Sequence, residues 1–152
     1  MMRILMVCLG NICRSPLAEG LLKSKLDNSK YYIDSAGLGK WHVGELPDKR
    51  SIAVAKKHNL DITYQRCRQF SISDFDNFDI IYAMDINNYE AIIALAKTDK
   101  EKNKVKLLLD VLFPDEKVDV PDPYSGSKFQ FEQVFKIIDK ATTKIAQQFN
   151  NE

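Results

Sequence analysis

The sequence predicts a single α/β domain, built on a four-stranded, twisted, parallel sheet with helices on both faces. Apolar runs of strand length alternate along the chain with segments whose apolar residues recur at helical spacing, which is typical of parallel strands joined by crossover helices. The run over residues 80–84 is apolar without interruption, as expected for a strand that helices cover on both faces. A chain of 152 residues is long enough to bury the core of one domain, residues 1–152.

Four strands and four helices are predicted to alternate along the chain. The strands cover residues 3–7, 31–35, 79–84 and 105–109, and the helices cover residues 16 to about 28, 46–58, 87–97 and 130–148. The last helix carries an apolar stripe that we assign to the core: Phe131, Val134, Phe135, Ile138, Ala141, Ile145 and Phe149. In a doubly wound sheet the ligand site lies beyond the carboxyl ends of the strands. This order of elements places Cys8, Ser35, Met84, Asp85 and the segment after Leu109 there.

Charge and hydropathy exclude several classes of partner. A net charge of +1 gives no global reason to expect nucleic acid or a membrane surface as a partner. The apolar runs are too short to span a bilayer, and residues 1–7 are too short for a signal peptide, so we expect a cytoplasmic protein. The lysines between residues 97 and 106 are interspersed with Asp99 and Glu101, and we expect them to form a solvated loop.

Cysteine and histidine usage gives no indication of a metal centre. Three cysteines are an odd number without a Cys-x-x-Cys pair, which suits a reducing compartment where no disulfide is required. His42 and His58 lie 16 residues apart without companion ligands. We therefore predict no structural metal and expect both histidines at the surface.

The most informative segment is residues 8–15, Cys-Leu-Gly-Asn-Ile-Cys-Arg-Ser, between the first strand and the first helix. Backbone N–H groups of such a loop can point inward at an oxyanion, and the dipole of the next helix favours negative charge there. Arg14 adds a planar fork for two phosphate oxygens, and Cys8 would lie under the anion as a thiolate nucleophile. Ser15 is predicted to cap the helix, with Pro16 at its first position. A cysteine ending a strand is more often a buried small hydrophobe, but the order of these elements favours the nucleophile.

Four stretches, residues 7–16, 34–37, 83–85 and 122–124, resemble the low-molecular-weight protein tyrosine phosphatases, and the resemblance covers nearly the whole chain. It implies a flavodoxin-like fold, also called phosphotyrosine phosphatase I-like, in a small cytosolic enzyme. It implies cysteine-dependent hydrolysis of phosphotyrosine residues of proteins, and of small aryl phosphates, through a phosphocysteine intermediate. No metal or other cofactor is implied, and we expect a monomer or weak self-association.

The resemblance assigns the catalytic roles to Cys8, Arg14 and Asp122. Displacement expels a phenolate, which is costly without a proton donor, and Asp122 lies on a loop that Pro121 and Pro123 stiffen. In the family this aspartate is the general acid and then the base for the water that releases phosphate. Without the loop after Cys8 we would interpret Asp122 as an ordinary turn residue. The implied phosphate-binding residues are Leu9, Gly10, Asn11, Ile12, Cys13 and Ser15, and Ser15 also donates a hydrogen bond to the sulfur.

A hydrogen-bond network is expected to support this loop. Gly10 permits a positive φ and Asn11 tolerates the left-handed region, so the pair can shape the loop. In the family the asparagine bonds to the loop serine, to a serine that matches Ser35, and usually to a histidine. Gln65 stands at that last position in this chain, and a glutamine can bond but cannot titrate.

Two aromatic residues and the second cysteine of the loop complete the predicted site. Trp41 and Tyr124 are expected to be walls that hold a flat leaving group, although an exposed tryptophan is also an ordinary edge-of-core residue. Family members often have a second tyrosine directly after the one that matches Tyr124, and this chain has Ser125 there. The resemblance suggests a reversible disulfide between Cys8 and Cys13 that protects the nucleophile. Alternatively, Cys13 only fills space in the core, and Cys67 has no evident role.

Three other functions are weighed against the phosphotyrosine phosphatase. A similar protein-arginine phosphatase typically has threonine where this chain has Ile12, which offers no hydroxyl to orient a water molecule. A thiol-dependent arsenate reductase needs a late pair of cysteines, and only Cys67 follows the loop. A non-catalytic phosphate-binding module would be expected to have lost Cys8 or Asp122, and the chain retains both.

Overall fold

The computed structural model describes residues 1–151 and confirms the predicted α/β fold. Four parallel strands form one sheet in the order β2-β1-β3-β4. The strands are β1 (Met2–Cys8), β2 (Tyr31–Gly37), β3 (Ile80–Ala83) and β4 (Val105–Leu107). The helices are α1 (Arg14–Lys25), α2 (Lys49–Lys57), α3 (Asp74–Asn77), α4 (Ile86–Leu95), α5 (Asp99–Asn103) and α6 (Lys128–Asn150), with a 3₁₀ turn at Leu108–Val111.

Several predicted boundaries differ from the structure for local reasons. The fourth strand ends at Leu107, because the chain then forms a 3₁₀ turn whose Leu108 and Leu109 side chains are buried in the core. The lysine-rich segment is not a loop throughout. Its residues Asp99–Asn103 form α5, whose N-cap Thr98 accepts a hydrogen bond from the N–H of Glu101. The short helix α3 carries only two buried side chains, too few for a periodic sequence signal.

The predicted cap of the first helix is wrong. Helix α1 begins at Arg14, its N-cap residue is Cys13, and Ser15 is the second helical residue. Pro16 is therefore the third, where a missing N–H is still tolerated because first-turn N–H groups have no acceptor within the helix. The hydroxyl of Ser15 is thereby available for a partner outside the helix.

Strand β1 is the centre of the core and supplies both of its faces. Ile4, Met6 and Cys8 join the cluster formed with α1, α2 and α6, whereas Leu5 and Val7 join the cluster formed with α3 and α4. This alternation follows from the two-residue period of a strand. It confirms that helices cover both faces of the sheet. No helix within residues 1–151 has both the length and the apolar character needed to cross a bilayer.

The carboxyl ends of the two central strands meet where the direction of strand addition reverses, between β1 and β3. The N–H of Met84 donates to the carbonyl of Val7 (3.1 Å), and the N–H of Leu38 donates to the carbonyl of Cys8 (3.0 Å). Open α/β sheets hold their ligands in the crevice at this point. The loop after β1 is thus anchored on both sides by its neighbouring strands.

Gly37 at the end of β2 packs directly against that loop, and this contact allows a test. A Cβ atom at Gly37 would lie 2.7 Å from the carbonyl carbon of Gly10 and 2.8 Å from the nitrogen of Asn11. Because both atoms are backbone, Gly37→Ala must displace the loop. We expect turnover to fall about 10- to 100-fold, with a loss of about 1–3 kcal/mol in unfolding free energy.

Aryl phosphate kinetics and urea unfolding of the Gly37→Ala variant would measure both effects. Lys30→Ala, at an exposed position before β2, is the control. A Gly37→Ala variant as active as Lys30→Ala would show that the close contact does not constrain the loop.

Candidate active site

The loop of residues 9–13, termed the Cys8 loop, turns its carbonyl groups away from its centre. The carbonyls of Cys8 and Leu9 accept from the N–H groups of Leu38 and Gly39, and the carbonyl of Ile12 accepts from the N–H of Asp48 (2.8 Å). The carbonyls of Asn11 and Cys13 accept from side chains of Cys67 and Ser51. Within residues 1–151 none of the backbone N–H groups of the loop donates to a protein acceptor. The arrangement is an anion-binding nest of backbone donors at the start of α1.

A cavity of about 190 Å³ lies over this loop. Its lining contains nine of the predicted site residues together with His42: Cys8, Leu9, Gly10, Ile12, Cys13, Arg14, Trp41, His42, Asp122 and Tyr124. Asn11 and Ser15 lie beneath the loop and are buried. The predicted residues therefore form one site.

The sulfur of Cys8 lies at the floor of the cavity, and the residue is 3% exposed. It is 3.0 Å from Oγ of Ser15, and Nδ2 of Asn11 donates to the same Oγ at 2.9 Å. Because a thiolate can only accept, the hydroxyl of Ser15 donates to the sulfur when Cys8 is ionised. A donated O–H stabilises the thiolate form of a cysteine.

Asn11 takes the left-handed conformation, with φ of 59°. Gly10 does not share it: Gly44 is the glycine with positive φ within residues 1–151, so the expectation for Gly10 is wrong. The side chain of Asn11 donates to Ser15 and to Oγ of Ser35 (3.0 Å) and accepts from the N–H of Arg68 (2.9 Å). One buried amide therefore ties the loop to two other segments.

The guanidinium of Arg14 is buried and held from one side. Its Nη1 donates to Oδ2 of Asp85 (2.7 Å) and to the carbonyl of Val120 (2.8 Å). Both hydrogens of Nη1 are thereby used, which leaves Nε–H and the two hydrogens of Nη2 for a ligand. Asp85 follows β3 and also caps α4 by accepting from the N–H of Asn88. The remaining N–H groups of Arg14 are therefore held in position to bind an anion over the loop.

Asp122 lies on the opposite rim of the cavity, in a loop of residues 120–126 termed the Asp122 loop. Its side chain is 47% exposed, Oδ2 is 3.8 Å from Nη2 of Arg14, and Oδ1 accepts from the N–H of Tyr124 (3.1 Å). Arg50 ties this loop to α2: Nη2 donates to the carbonyl of Tyr124 (2.8 Å). Asp48 holds Arg50 through both carboxylate oxygens (3.0 Å each).

The same Asp48 donates its N–H to the carbonyl of Ile12 in the Cys8 loop. The pair of Asp48 and Arg50 therefore connects the two loops that border the cavity. The hydrogen bonds to Arg50 lower the pKa of Asp48, although burial acts in the opposite direction, so the pair is charged at neutral pH.

Aromatic side chains form the outer part of the cavity. Trp41 is 66% exposed and Tyr124 is 50% exposed, and both line the cavity. His42 stands beside them, although we expected it only at the surface. Its Nδ1 contacts Oε2 of Glu45 (3.1 Å). His58 lies away from the cavity and stacks on Phe135 with ring centroids 4.3 Å apart.

Beneath the loop, Ser35 connects Asn11 to a buried carboxylate that the sequence analysis missed. Oγ of Ser35 donates to Oε1 of Glu19 (2.7 Å), and Oε2 of Glu19 accepts from the hydroxyl of Tyr64 (3.0 Å) and from Nζ of Lys23 (3.3 Å). Burial raises the pKa of Glu19. Because Glu19 accepts every one of these bonds, it sets the direction in which the hydroxyl of Ser35 donates.

Gln65 joins this network only at its outer end. Its Nε2 donates to the carbonyl of Pro16 (2.9 Å) and to the hydroxyl of Tyr64 (3.4 Å), and it makes no bond to Asn11 or Ser35. Its Oε1 is buried and has no partner within residues 1–151. Gln65 is therefore linked to Ser35 through Tyr64 and Glu19, and it does not contact the loop asparagine directly.

The remaining cysteines are reduced and buried. All three cysteines are free thiols. Burial, with the Asp48 carboxylate nearby, raises the pKa of Cys13 far above its ordinary value, and burial raises the pKa of Cys67 to about 11. Cys67 does have a structural role, because its thiol donates to the carbonyl of Asn11 (2.8 Å). A disulfide between Cys8 and Cys13 stays a prediction.

Comparison with known proteins places the chain in a family. The family model of low molecular weight phosphotyrosine protein phosphatases matches residues 3–152. The low molecular weight phosphotyrosine protein phosphatase of Schizosaccharomyces pombe is 40% identical over 134 residues, which is 85% of each chain. The chain therefore belongs to the low molecular weight phosphotyrosine protein phosphatase family, as predicted.

Solved structures agree with this assignment. The protein tyrosine phosphatase of Entamoeba histolytica, solved with Hepes in its active site, superposes with a TM-score of 0.91 at 35% identity, covering 99% of this chain and 98% of that one. Wzb of Vibrio vulnificus, solved in complex with benzylphosphonate, superposes with a TM-score of 0.87 at 30% identity, covering 97% and 98%. The fold and the family are thus established together.

The buried carboxylate of Glu19 predicts a pH dependence of stability. Because burial raises its pKa in the folded state, the folded protein binds the proton more tightly than the unfolded chain does. The contribution of Glu19 to stability is therefore greatest at low pH and is lost as pH rises through the raised pKa. Relative to Glu19→Gln, the wild type should lose about 1.4 kcal/mol for each unit that separates the two pKa values.

Urea unfolding of both proteins from pH 4 to pH 7 would measure this difference. Glu90→Gln, at an exposed position on α4, is the control and should follow the wild type at every pH. A constant difference between wild type and Glu19→Gln over this range would contradict the assignment.

Proposed function

We propose that the protein hydrolyses phosphotyrosine residues of proteins, and small aryl phosphates, through a phosphocysteine intermediate. The observation that carries the proposal is the convergence of Cys8, Arg14 and Asp122 on one 190 Å³ cavity, with the sulfur at its floor and the carboxylate at its rim. These groups are a nucleophile, an oxyanion binder and a proton donor, the three parts that phosphoryl transfer to sulfur requires.

In the first step the Cys8 thiolate attacks phosphorus and the bond to the tyrosyl oxygen breaks. The inward N–H groups of the Cys8 loop and the open edge of Arg14 bind the phosphoryl oxygens, where negative charge is concentrated in the transition state. Asp122 gives its proton to the departing oxygen, so tyrosine leaves as the neutral phenol. The hydrogen bond from Ser15 favours the thiolate before attack.

In the second step a water molecule attacks phosphorus from the side that the phenol has left. Asp122, now a carboxylate, takes the proton of that water, and the S–P bond breaks. Inorganic phosphate and the Cys8 thiolate are the products, so the cycle returns to its starting state. Asp122 is suited to both roles because it is half exposed, at the rim where the leaving group and then the water would lie.

The aromatic side chains at the rim of the cavity favour a substrate with an aryl group. A phosphate bound in the Cys8 loop places its ester group between Trp41 and Tyr124, whose rings can stack on a phenyl ring. The relative solved with benzylphosphonate supports this choice. Ile12, which is buried at the cavity wall, adds apolar surface there and offers no hydroxyl for attack on a P–N bond.

The proposal is tested by the hydrolysis of a phosphotyrosine peptide and a phosphoarginine peptide side by side, without added metal and with reduced protein. We expect kcat/KM for phosphotyrosine to exceed that for phosphoarginine by at least about tenfold. The Cys8→Ser variant should show no turnover of either peptide. Preference for phosphoarginine would overturn the proposed substrate class, and turnover by Cys8→Ser would overturn the assignment of Cys8 as the nucleophile.

A second prediction concerns the leaving group. Asp122→Asn should slow hydrolysis of phenyl phosphate, a poor leaving group, about 100-fold or more, because the phenolate then departs unprotonated. Hydrolysis of para-nitrophenyl phosphate should slow much less. The measurement is single-turnover release of each phenol, with Asp115→Asn at an exposed turn as the control. Equal slowing for both phenols would argue against Asp122 as the acid.

A further inference from the structure

A second concave surface lies next to the active site, between the first turns of α2 and α6. It encloses about 440 Å³, and we term it the cationic groove. Its lining consists of four cations, one carboxylate and four apolar side chains: Lys49, Arg50, Lys57, Lys128, Glu132, Ala53, Val54, Phe129 and Phe131. None of the proposed catalytic steps uses this surface.

The charge of the groove is positive. Its carboxylate, Glu132, is already engaged by His58 (2.6 Å) and by Lys57 (3.4 Å). Within residues 1–151 neither Lys49 nor Lys128 forms an ion pair with any side chain. The groove therefore presents ammonium groups whose charge the described part of the fold does not neutralise, and it would attract a carboxylate-bearing ligand.

These lysines disfavour the helices that carry them. Asp48 caps α2, but Lys49 follows it at the first helical position, and α6 has no acidic residue in its first turn, where acidic side chains would stabilise the helix and cations oppose its dipole. Phe129 is likewise costly for the isolated molecule, because it is 68% exposed beside the buried Phe131. Helix stability therefore does not account for this composition, whereas a ligand with acidic and apolar side chains would offset it.

The groove is continuous with the rim of the active site through Arg50. The guanidinium carbon of Arg50 lies 5.6 Å from the ring centroid of Tyr124, in the active-site wall, and 4.5 Å from that of Phe131, in the groove. The two rings are thus within about 10 Å of each other, a distance that about three residues of extended chain span. A peptide whose phosphotyrosine occupies the Cys8 loop can reach the groove.

We propose that the cationic groove binds an acidic segment of the phosphoprotein substrate, with one apolar side chain against Phe129 and Phe131, about two to four residues from the phosphotyrosine. This inference rests on the proposed phosphotyrosine phosphatase activity and names the sequence context that it favours. The lysines bind the carboxylates, and the aromatic pair receives the apolar side chain. The groove thus selects among phosphotyrosine sites, while the Cys8 loop recognises the phosphate that they share.

The test compares matched phosphotyrosine peptides that carry either glutamate or glutamine two to four residues from the phosphotyrosine, on each side in turn. We expect the wild type to favour the glutamate peptide on one side by about fivefold in kcat/KM, as two exposed ion pairs would provide. The preference should shrink as salt is raised from 0.05 M to about 0.5 M. The double variant Lys49→Ala/Lys128→Ala should lose it.

Matched controls separate the groove from general charge effects. Lys136→Ala/Lys140→Ala removes two exposed cations of α6 outside the groove and should keep the preference. Turnover of para-nitrophenyl phosphate should be unchanged in both double variants. Phe129→Ala should reduce turnover only of peptides that place an apolar residue beside the glutamates.

Two results would overturn the inference while leaving the proposed function intact. One is equal kcat/KM for glutamate and glutamine peptides with normal turnover of para-nitrophenyl phosphate. The other is a preference that Lys49→Ala/Lys128→Ala retains but that dilution of the protein removes, which would identify a second copy of the chain as the occupant. Absence of turnover of every aryl phosphate would instead overturn the proposed function. Peptide affinity for Cys8→Ser, measured by fluorescence anisotropy, would then still decide the role of the groove.

Discussion

The hydrogen bonds of the buried Asn11 side chain are the constraint on which the site depends. A left-handed residue in the middle of a loop is tolerated only when its surroundings hold it there, and this amide donates to Ser15 and Ser35 and accepts from the N–H of Arg68. Its own carbonyl faces Cys67. With that residue fixed, the neighbouring carbonyls point outward, so the N–H groups of the loop face the cavity. The anion site is therefore a product of backbone geometry.

Glu19 gives this network a direction. Because the carboxylate accepts from Ser35, the oxygen of Ser35 is left to accept from Asn11, whose amide also donates to the oxygen of Ser15. The hydrogen bonds from Glu19 to Asn11 are thereby directed, and the hydroxyl of Ser15 completes the chain by donating to Cys8 when that thiol is ionised. Gln65, which cannot titrate, contacts this chain only through Tyr64.

Much of the fold and of the site could be predicted from the sequence because local residue patterns indicate them. Strand β1 and α6 have clear apolar patterns, and the Cys8 loop has a distinctive order of residues, so the sequence predicts that Cys8, Arg14 and Asp122 lie in one site. The predicted cap is wrong because α1 begins two residues before the position that Pro16 suggests. The pairings of Asp85, Arg50 and Glu19 were missed, since their partners lie 16 to 74 residues away and leave no local signal. Only the position of Asp85 after a strand, and of Glu19 four residues after Ser15, pointed to them.

The aromatic rim has one more consequence, for how the protein can be observed. Trp41 is the one tryptophan of the chain, it is two-thirds exposed, and it borders the cavity. Indole emission responds strongly to the polarity around the ring, so an aryl group that stacks there alters the spectrum of the whole protein. Residence of a ligand can therefore be followed by intrinsic emission, without a label and in a variant that performs no chemistry.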